Sequence, residues 1–132
     1  MFHRWQQTKN ILISDYTGVK CPNCPKAAEI AKEISDKYPG RVIVYGIHAN
    51  AIFGSPYPES KEDYRTEDGE ALYDFFGRAP QPAGDIDRVL FPGENTIMAP
   101  YTKWKQYADR RIKVNNPLNL YLSSTYDEST NE

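Results

Sequence analysis

The chain has 132 residues, 39% apolar and 26% charged, the size and balance of one domain with one core, which excludes a multidomain reading. Sixteen basic against eighteen acidic side chains leave a net charge of -2 with the signs interspersed, so no electrostatic footprint for nucleic acid or anionic lipid is present. No apolar run approaches the roughly 20 residues of a membrane-spanning helix, and the start, Met1 to Gln7, lacks the apolar region of a secretory signal.

Residues 1 to 9 form a polar lead-in. Asn10 to Tyr16 is β-rich and predicts a strand that ends in a turn at Thr17-Gly18. From Cys24 to Tyr38 the apolar positions Ala27, Ile30, Ala31, Ile34 and Tyr38 recur at three and four residues, the pattern of an amphipathic helix, stopped by Pro39-Gly40. Arg41 to His48 is a nearly continuous apolar run and predicts a strand covered on both faces, as in a parallel sheet. The chain thus opens with a β-α-β unit.

Residues 49 to 65, with Gly54, Pro56 and Pro58 among aromatics and charges, are longer than an ordinary α/β connection and read as a functional, lid-like insertion. Thr66 is placed to cap a helix with Leu72, Phe75 and Phe76 on its inner face and Gly77 as its stop. Ala79 to Gly84 is an extended, turning segment, Asp85 to Phe91 a predicted strand, and Pro92-Gly93 a turn. Pro100 suits the first position of a last helix that turns Tyr101, Trp104, Ala108 and Ile112 inward. A final apolar run, Leu118 to Leu122, follows Pro117. The whole reads as one domain over residues 1 to 122 with a polar tail over 123 to 132, or the start of a further β region. Right-handed crossovers then give an α/β, thioredoxin-like three-layer fold, a central mixed sheet flanked by helices.

Cys21 and Cys24 are too few for a disulfide framework or a four-thiolate zinc site, so their spacing carries the information. A Cys-x-x-Cys between a strand and a helix puts the first sulfur where free backbone N–H groups and the positive helix end favour thiolate. Lys20 adds a positive charge, and Pro22 fits an early helical position. Cys21, the more exposed and more acidic, is the expected nucleophile, and Cys24, one turn later, the thiol that resolves the mixed disulfide. Pro25 opens another arrangement: it lacks the N–H for an early helical bond, so a helix starting at Cys24 leaves Cys21 in the loop and turns the dipole on Cys24. A redox-inert structural pair and a copper or zinc site completed by His3 or His48 are the alternatives. No metal or other cofactor is assigned. His48 ends the second strand at the carboxyl edge, where α/β sheets bind ligands, and reads as a general acid or ligand or as a hydrogen-bonded boundary residue.

Several blocks in order resemble the thioredoxin-like superfamily and, within it, the family related to outer membrane protein 28, envelope lipoproteins of Bacteroidetes. They are Ile11 to Gly18, Cys21-Pro22-Asn23-Cys24-Pro25, Val44 to Ala49, Asp63 to Thr66 and Pro82 to Arg88. The resemblance implies a buried acid at Asp15, six residues before the first cysteine, to take the proton of Cys24. Strand alternation independently puts Asp15 on the face of Ile11 and Ile13. It also implies a cis-proline facing the cysteines, Pro82 before Pro80, so that Lys20, Pro22, Gln81 and Pro82 border the substrate. Arg88 reads as pairing with Asp15 or Asp87, or as solvated.

The tryptophan usual before the first cysteine is Lys20 here, and the usual Gly-Pro dipeptide is Pro-Asn. The implied protein is a thiol-disulfide oxidoreductase of the cell envelope, outside the cytoplasm and lipid-anchored in full-length form, whose partners are protein thiols and disulfides. A homodimer through residues 118 to 126 is a further expectation. The rival is a redox-inert binding module that holds a peptide with Phe53, Tyr57 and Tyr64 of the insertion.

Overall fold

The computed structural model describes residues 8–131. In chain order it contains β1 (Ile11–Thr17), α1 (Cys24–Lys37), β2 (Val42–His48), α2 (Glu67–Phe75), β3 (Ala83–Ile86), β4 (Ala99–Pro100), a 3-10 turn (Tyr101–Lys103) and α3 (Trp104–Arg111). The four strands form one mixed sheet in the order β2-β1-β3-β4. β2 runs parallel to β1, from Ile11 opposite Val42 to Thr17 opposite His48. β3 is antiparallel to β1, from Ile13 opposite Ile86 to Tyr16 opposite Ala83, and β4 is antiparallel to β3. This is the mixed α/β, thioredoxin-like arrangement that the β-α-β opening predicts.

β1 is buried along most of its length because it is the inner strand with a helix layer on each side. Its alternation sorts the interior into two clusters rather than one core. Ile11 and Ile13 point to the layer of α1 and α3, where Ala27, Ala31, Ile34, Ile86, Trp104 and Ala108 close around them. Tyr16 points to the other layer with Ile47, Ala49, Tyr73 of α2, Ala83 and Met98.

Several expectations are corrected. β2, expected to be covered on both faces, is the edge strand of the sheet, with Ile43 55% and Val44 40% exposed. The third strand lies at Ala83–Ile86, earlier than Asp85 to Phe91, because Asp87 and Arg88 take positive φ of 58° and 53° and turn the chain away from β1. The two-residue β4 carries no periodic signal and went unpredicted. Thr66 does cap α2, its Oγ1 accepting from the Gly69 N–H at 2.9 Å, but the inner face carries Tyr73, with Leu72 and Phe76 beside it, while Phe75 is 80% exposed. Leu118 to Leu122 forms no strand; Leu118, Leu120 and Leu122 are exposed. Pro100 caps the 3-10 turn before α3 rather than opening an α-helix directly. His3 lies outside the described residues. Among the described residues no helix is long and apolar enough to cross a membrane.

Candidate active site

α1 begins at Cys24, with Asn23 at its cap and Pro25 inside its first turn. Since Pro25 has no N–H, the Cys21 carbonyl accepts instead from the Cys24 N–H at 3.4 Å, and the Cys21 N–H donates to the Gly18 carbonyl at 3.1 Å. Cys21 therefore sits in the turn before the helix, the second of the two arrangements that Pro25 left open, and the helix end acts first on Cys24. The two cysteines are joined in a disulfide with Cα atoms 5.4 Å apart. Both are buried to the same degree, 5% exposed, so the expected greater exposure of Cys21 is absent in the oxidised protein.

The turn that carries Cys21 is held by the insertion. The Lys20 N–H donates to the Phe53 carbonyl at 2.9 Å, and a Cβ on Gly18 would lie 2.2 Å from that same carbonyl oxygen, so only glycine lets the two segments meet. The Lys20 ammonium donates to Ser55 Oγ at 3.1 Å and lies 5.3 Å above the Tyr57 ring. This charge is turned to the insertion, which sequence adjacency to Cys21 alone does not reveal. Pro22, next to Cys21 in the turn, is exposed.

The Gln81–Pro82 peptide bond is cis, at the position preferred over Pro80. Because Ala83 pairs with Tyr16, this bond stands at the carboxyl end of β1, the end from which the cysteine turn departs. The Gln81 side-chain amide donates to the Ala49 carbonyl at 3.0 Å, tying the proline turn to the end of β2.

Asp15 lies on the face of Ile11 and Ile13, between Gly46 of β2 and Gly84 of β3. α1 buries Cys24, Ala27, Ala31 and Ile34, and as the crossover helix it runs back along the sheet, so its first residue lies over the end of β1 that carries Asp15. Asp15 is 7% exposed, its Oδ1 has no hydrogen-bond partner among the described residues, and desolvation pushes its carboxyl up to about 6. Arg88 pairs with neither expected acid. Its guanidinium donates to the Tyr45 hydroxyl at 3.2 Å and lies over Phe76, while its backbone N–H donates to Asp85.

Sequence reasoning missed a second buried acid on the opposite face. Asp85 is fully buried, accepting from Ser14 Oγ at 3.1 Å, and burial pushes its carboxyl up despite the Arg88 N–H and Ser14. Alternation from Ala83 would have placed it there once the strand was set in its true position. Among the described residues no three His, Cys, Asp or Glu side chains gather into a metal-binding group. The His48 ring lies instead 5.4 Å from that of Tyr64. No protein-family model matches the chain, and no curated protein matches it.

Proposed function

We propose that the chain is a thiol-disulfide oxidoreductase domain. The observation that carries this reading is a Cys21–Cys24 disulfide at the head of a helix, at the sheet end that also holds a cis-proline and a buried, unpartnered carboxyl. In the reduced protein the Asp15 carboxyl beneath the helix head keeps the proton on Cys24 against the pull of the helix end, so Cys21 is the thiol that attacks a partner disulfide, forming a mixed disulfide and releasing one partner thiolate, which takes up a proton. Cys24 gives its proton to Asp15 and attacks Cys21, closing the intramolecular bond; the partner's second sulfur leaves as thiolate and is protonated in turn. Two electrons pass to the partner, and two of its sulfurs end as thiols. Lys20, Pro22, Gln81 and Pro82 border the path by which the partner reaches Cys21. On the resemblance of its sequence blocks, we assign the domain to a bacterial cell envelope, a compartment in which disulfides persist.

A binding module is the second reading, favoured by exposed Tyr57 and Tyr64 on the insertion that grips the cysteine turn; Phe53, expected beside them, is half-buried, and Ile52 is exposed in its place. Alkylation of the reduced protein across pH, resolved by peptide, separates the two. The oxidoreductase reading expects one cysteine to react as thiolate well below the ordinary value of about 8.5, and Cys21→Ser to abolish reduction of insulin disulfides. Two cysteines with ordinary, equal titrations and no insulin reduction would leave the binding module.

A further inference from the structure

The insertion runs along the cysteine end of the sheet, and contacts place both ends of its exposed stretch, residues 57 to 64. At one end the Tyr57 ring lies 5.3 Å from the Lys20 ammonium, next to Cys21 in the turn. At the other the Tyr64 ring lies 5.4 Å from that of His48, which pairs with Thr17 at the carboxyl end of β1. The stretch between the two tyrosines therefore arches from the cysteine turn to the end of β2. α2 starts from the same place: a Cβ on Gly69, in its first turn, would lie 3.7 Å from the His48 carbonyl oxygen. The Asn50 N–H, at the start of the insertion, donates to Glu70 of that turn at 2.6 Å.

Charges that intersperse along the rest of the chain separate here. Residues 49 to 70 hold six acidic and two basic side chains, against twelve and fourteen elsewhere. Arg65 is held by Asp63, and Lys20 by Ser55 and Tyr57. The acids Glu67 and Asp68 complement the N-terminal end of α2 and so have a structural reason. Glu59 and Glu62 have none. Both are exposed, and among the described residues neither caps a helix, accepts a hydrogen bond or joins an ion pair. Glu59 lies two residues from Tyr57 and Glu62 two from Tyr64, at most about 7 Å of chain in each case, so both carboxylates belong to the rim that the tyrosines define. Lys61, between them, and Lys26, in the first turn of α1, are the exposed cations nearest in the chain.

We propose that this rim selects the partner: a peptide segment with lysine or arginine beside its cysteine, whose cation meets the Tyr64 ring and the carboxylates of Glu59 and Glu62. This deepens the proposed function and rests on it. Both cysteines are only 5% exposed, so a partner reaches Cys21 by lying against the turn, and the insertion is bonded to that turn. The Tyr57 ring already takes the ammonium of Lys20, which is the same chemistry within the chain. Tyr64, 61% exposed and backed by His48, offers a second ring to a cation from outside. Two carboxylates without partners raise the local concentration of such a segment and speed its encounter, while an acidic segment is repelled. Exposed Ile52 adds an apolar contact at the base of the insertion.

The test is single-turnover reduction, by the reduced protein, of three peptides that are each closed by one disulfide and differ only in lysine, glutamine or glutamate beside each cysteine. Rates are taken relative to those with dithiothreitol, which removes the peptides' own differences in reactivity. The lysine peptide should react about tenfold faster than the glutamine peptide at about 20 mM salt, the glutamate peptide more slowly still, and the three should converge at about 0.5 M. The double variant Glu59→Gln/Glu62→Gln should bring the lysine peptide within about twofold of the glutamine peptide. Tyr64→Ala should slow the lysine peptide at both salt concentrations, whereas Glu128→Gln, the same charge removed from the polar tail, should leave the series as in the parent. Equal rates at low salt, a faster glutamate peptide, or a preference that persists in the double variant would overturn the proposal. A protein that reduces none of the three overturns the oxidoreductase reading instead, and the rim is then read by fluorescence anisotropy of labelled peptides with serine in place of cysteine. Tighter binding of the lysine peptide, lost in the double variant, sustains the rim without the reaction, and equal binding of all three overturns it.

Discussion

Asp15 spends stability on its position. A carboxyl that titrates at about 6 in the folded protein and at 3.8 when unbonded binds its proton more tightly in the folded state, so its contribution favours folding at low pH. That contribution is complete below 3.8 and is lost as pH rises through about 6. The shift corresponds to about 3 kcal/mol. Asp15→Asn cannot ionise and should be more stable than the parent by up to that amount at about pH 8, with the difference shrinking toward about pH 4. Urea midpoints at the two ends check this; equal midpoints at about pH 8 would show that the carboxylate finds a partner in solution. A residue that lowers stability at working pH is what a reaction, rather than a fold, requires. The face of Asp15 was legible from period-two alternation in β1. Its lack of a partner was not, because that depends on glycines at Gly46 and Gly84, which are neighbours only through the sheet register.

At the scale of the element, α2 shows how a helix with aromatics on two faces resolves its phase. The Tyr73 ring lies tilted against that of Tyr16, 5.5 Å between centroids, and its hydroxyl donates to the Ala79 carbonyl at 2.6 Å, whereas Phe75 points to solvent. Tyr73→Ala should therefore cost about 3 to 5 kcal/mol by chemical denaturation. Phe75→Ser should stay within about 0.5 kcal/mol of the parent. The reverse ranking would return the inner face to Phe75. The sequence placed Leu72, Phe75 and Phe76 together because all three are apolar; it could not weigh a tyrosine that buries its ring only because a carbonyl is waiting for its hydroxyl. β3 was displaced for a related reason. Asp85-Ile86-Asp87-Arg88-Val89-Leu90-Phe91 looks richer in strand formers than Ala83-Gly84-Asp85-Ile86, but pairing with β1 begins at the cis-proline and ends where Asp87 turns left-handed. The long periodic α1 and the apolar β2 were legible within a residue or two because their patterns agree with their neighbours.

The molecule as a whole is held together at the end of the sheet away from the cysteines by Asp87. Its Oδ2 receives Lys9 from the segment before β1 and Arg111 from the last turn of α3, each at 2.9 Å, while its Oδ1 accepts from the Leu12 N–H at 2.8 Å. The Asp87 N–H returns a bond to the Leu12 carbonyl at 2.8 Å. Burial alone would push this carboxyl up, yet Arg111, Leu12 and Lys9 together hold it below its ordinary value. Its sign is opposite to that of Asp15. The contribution of Asp87 is fully present above 3.8 and is lost as pH falls through its lower folded value, so acid should loosen this hub while it relieves the buried carboxyl near the cysteines. Asp87→Asn isolates the charge, because asparagine tolerates the φ of 58° found here. With Asp87 only 7% exposed, removing its charge strands two cations, and a loss of about 3 kcal/mol is expected at neutral pH, fading as acid protonates the parent carboxyl. Urea unfolding of parent and variant across the acid range measures it, and a variant as stable as the parent at neutral pH would show the hub to be an exposed ion pair of little weight. The site at the other end should keep its titrations in that variant, since Asp87 belongs to the turn after β3 and Asp15 to the end of β1 from which the cysteine turn departs.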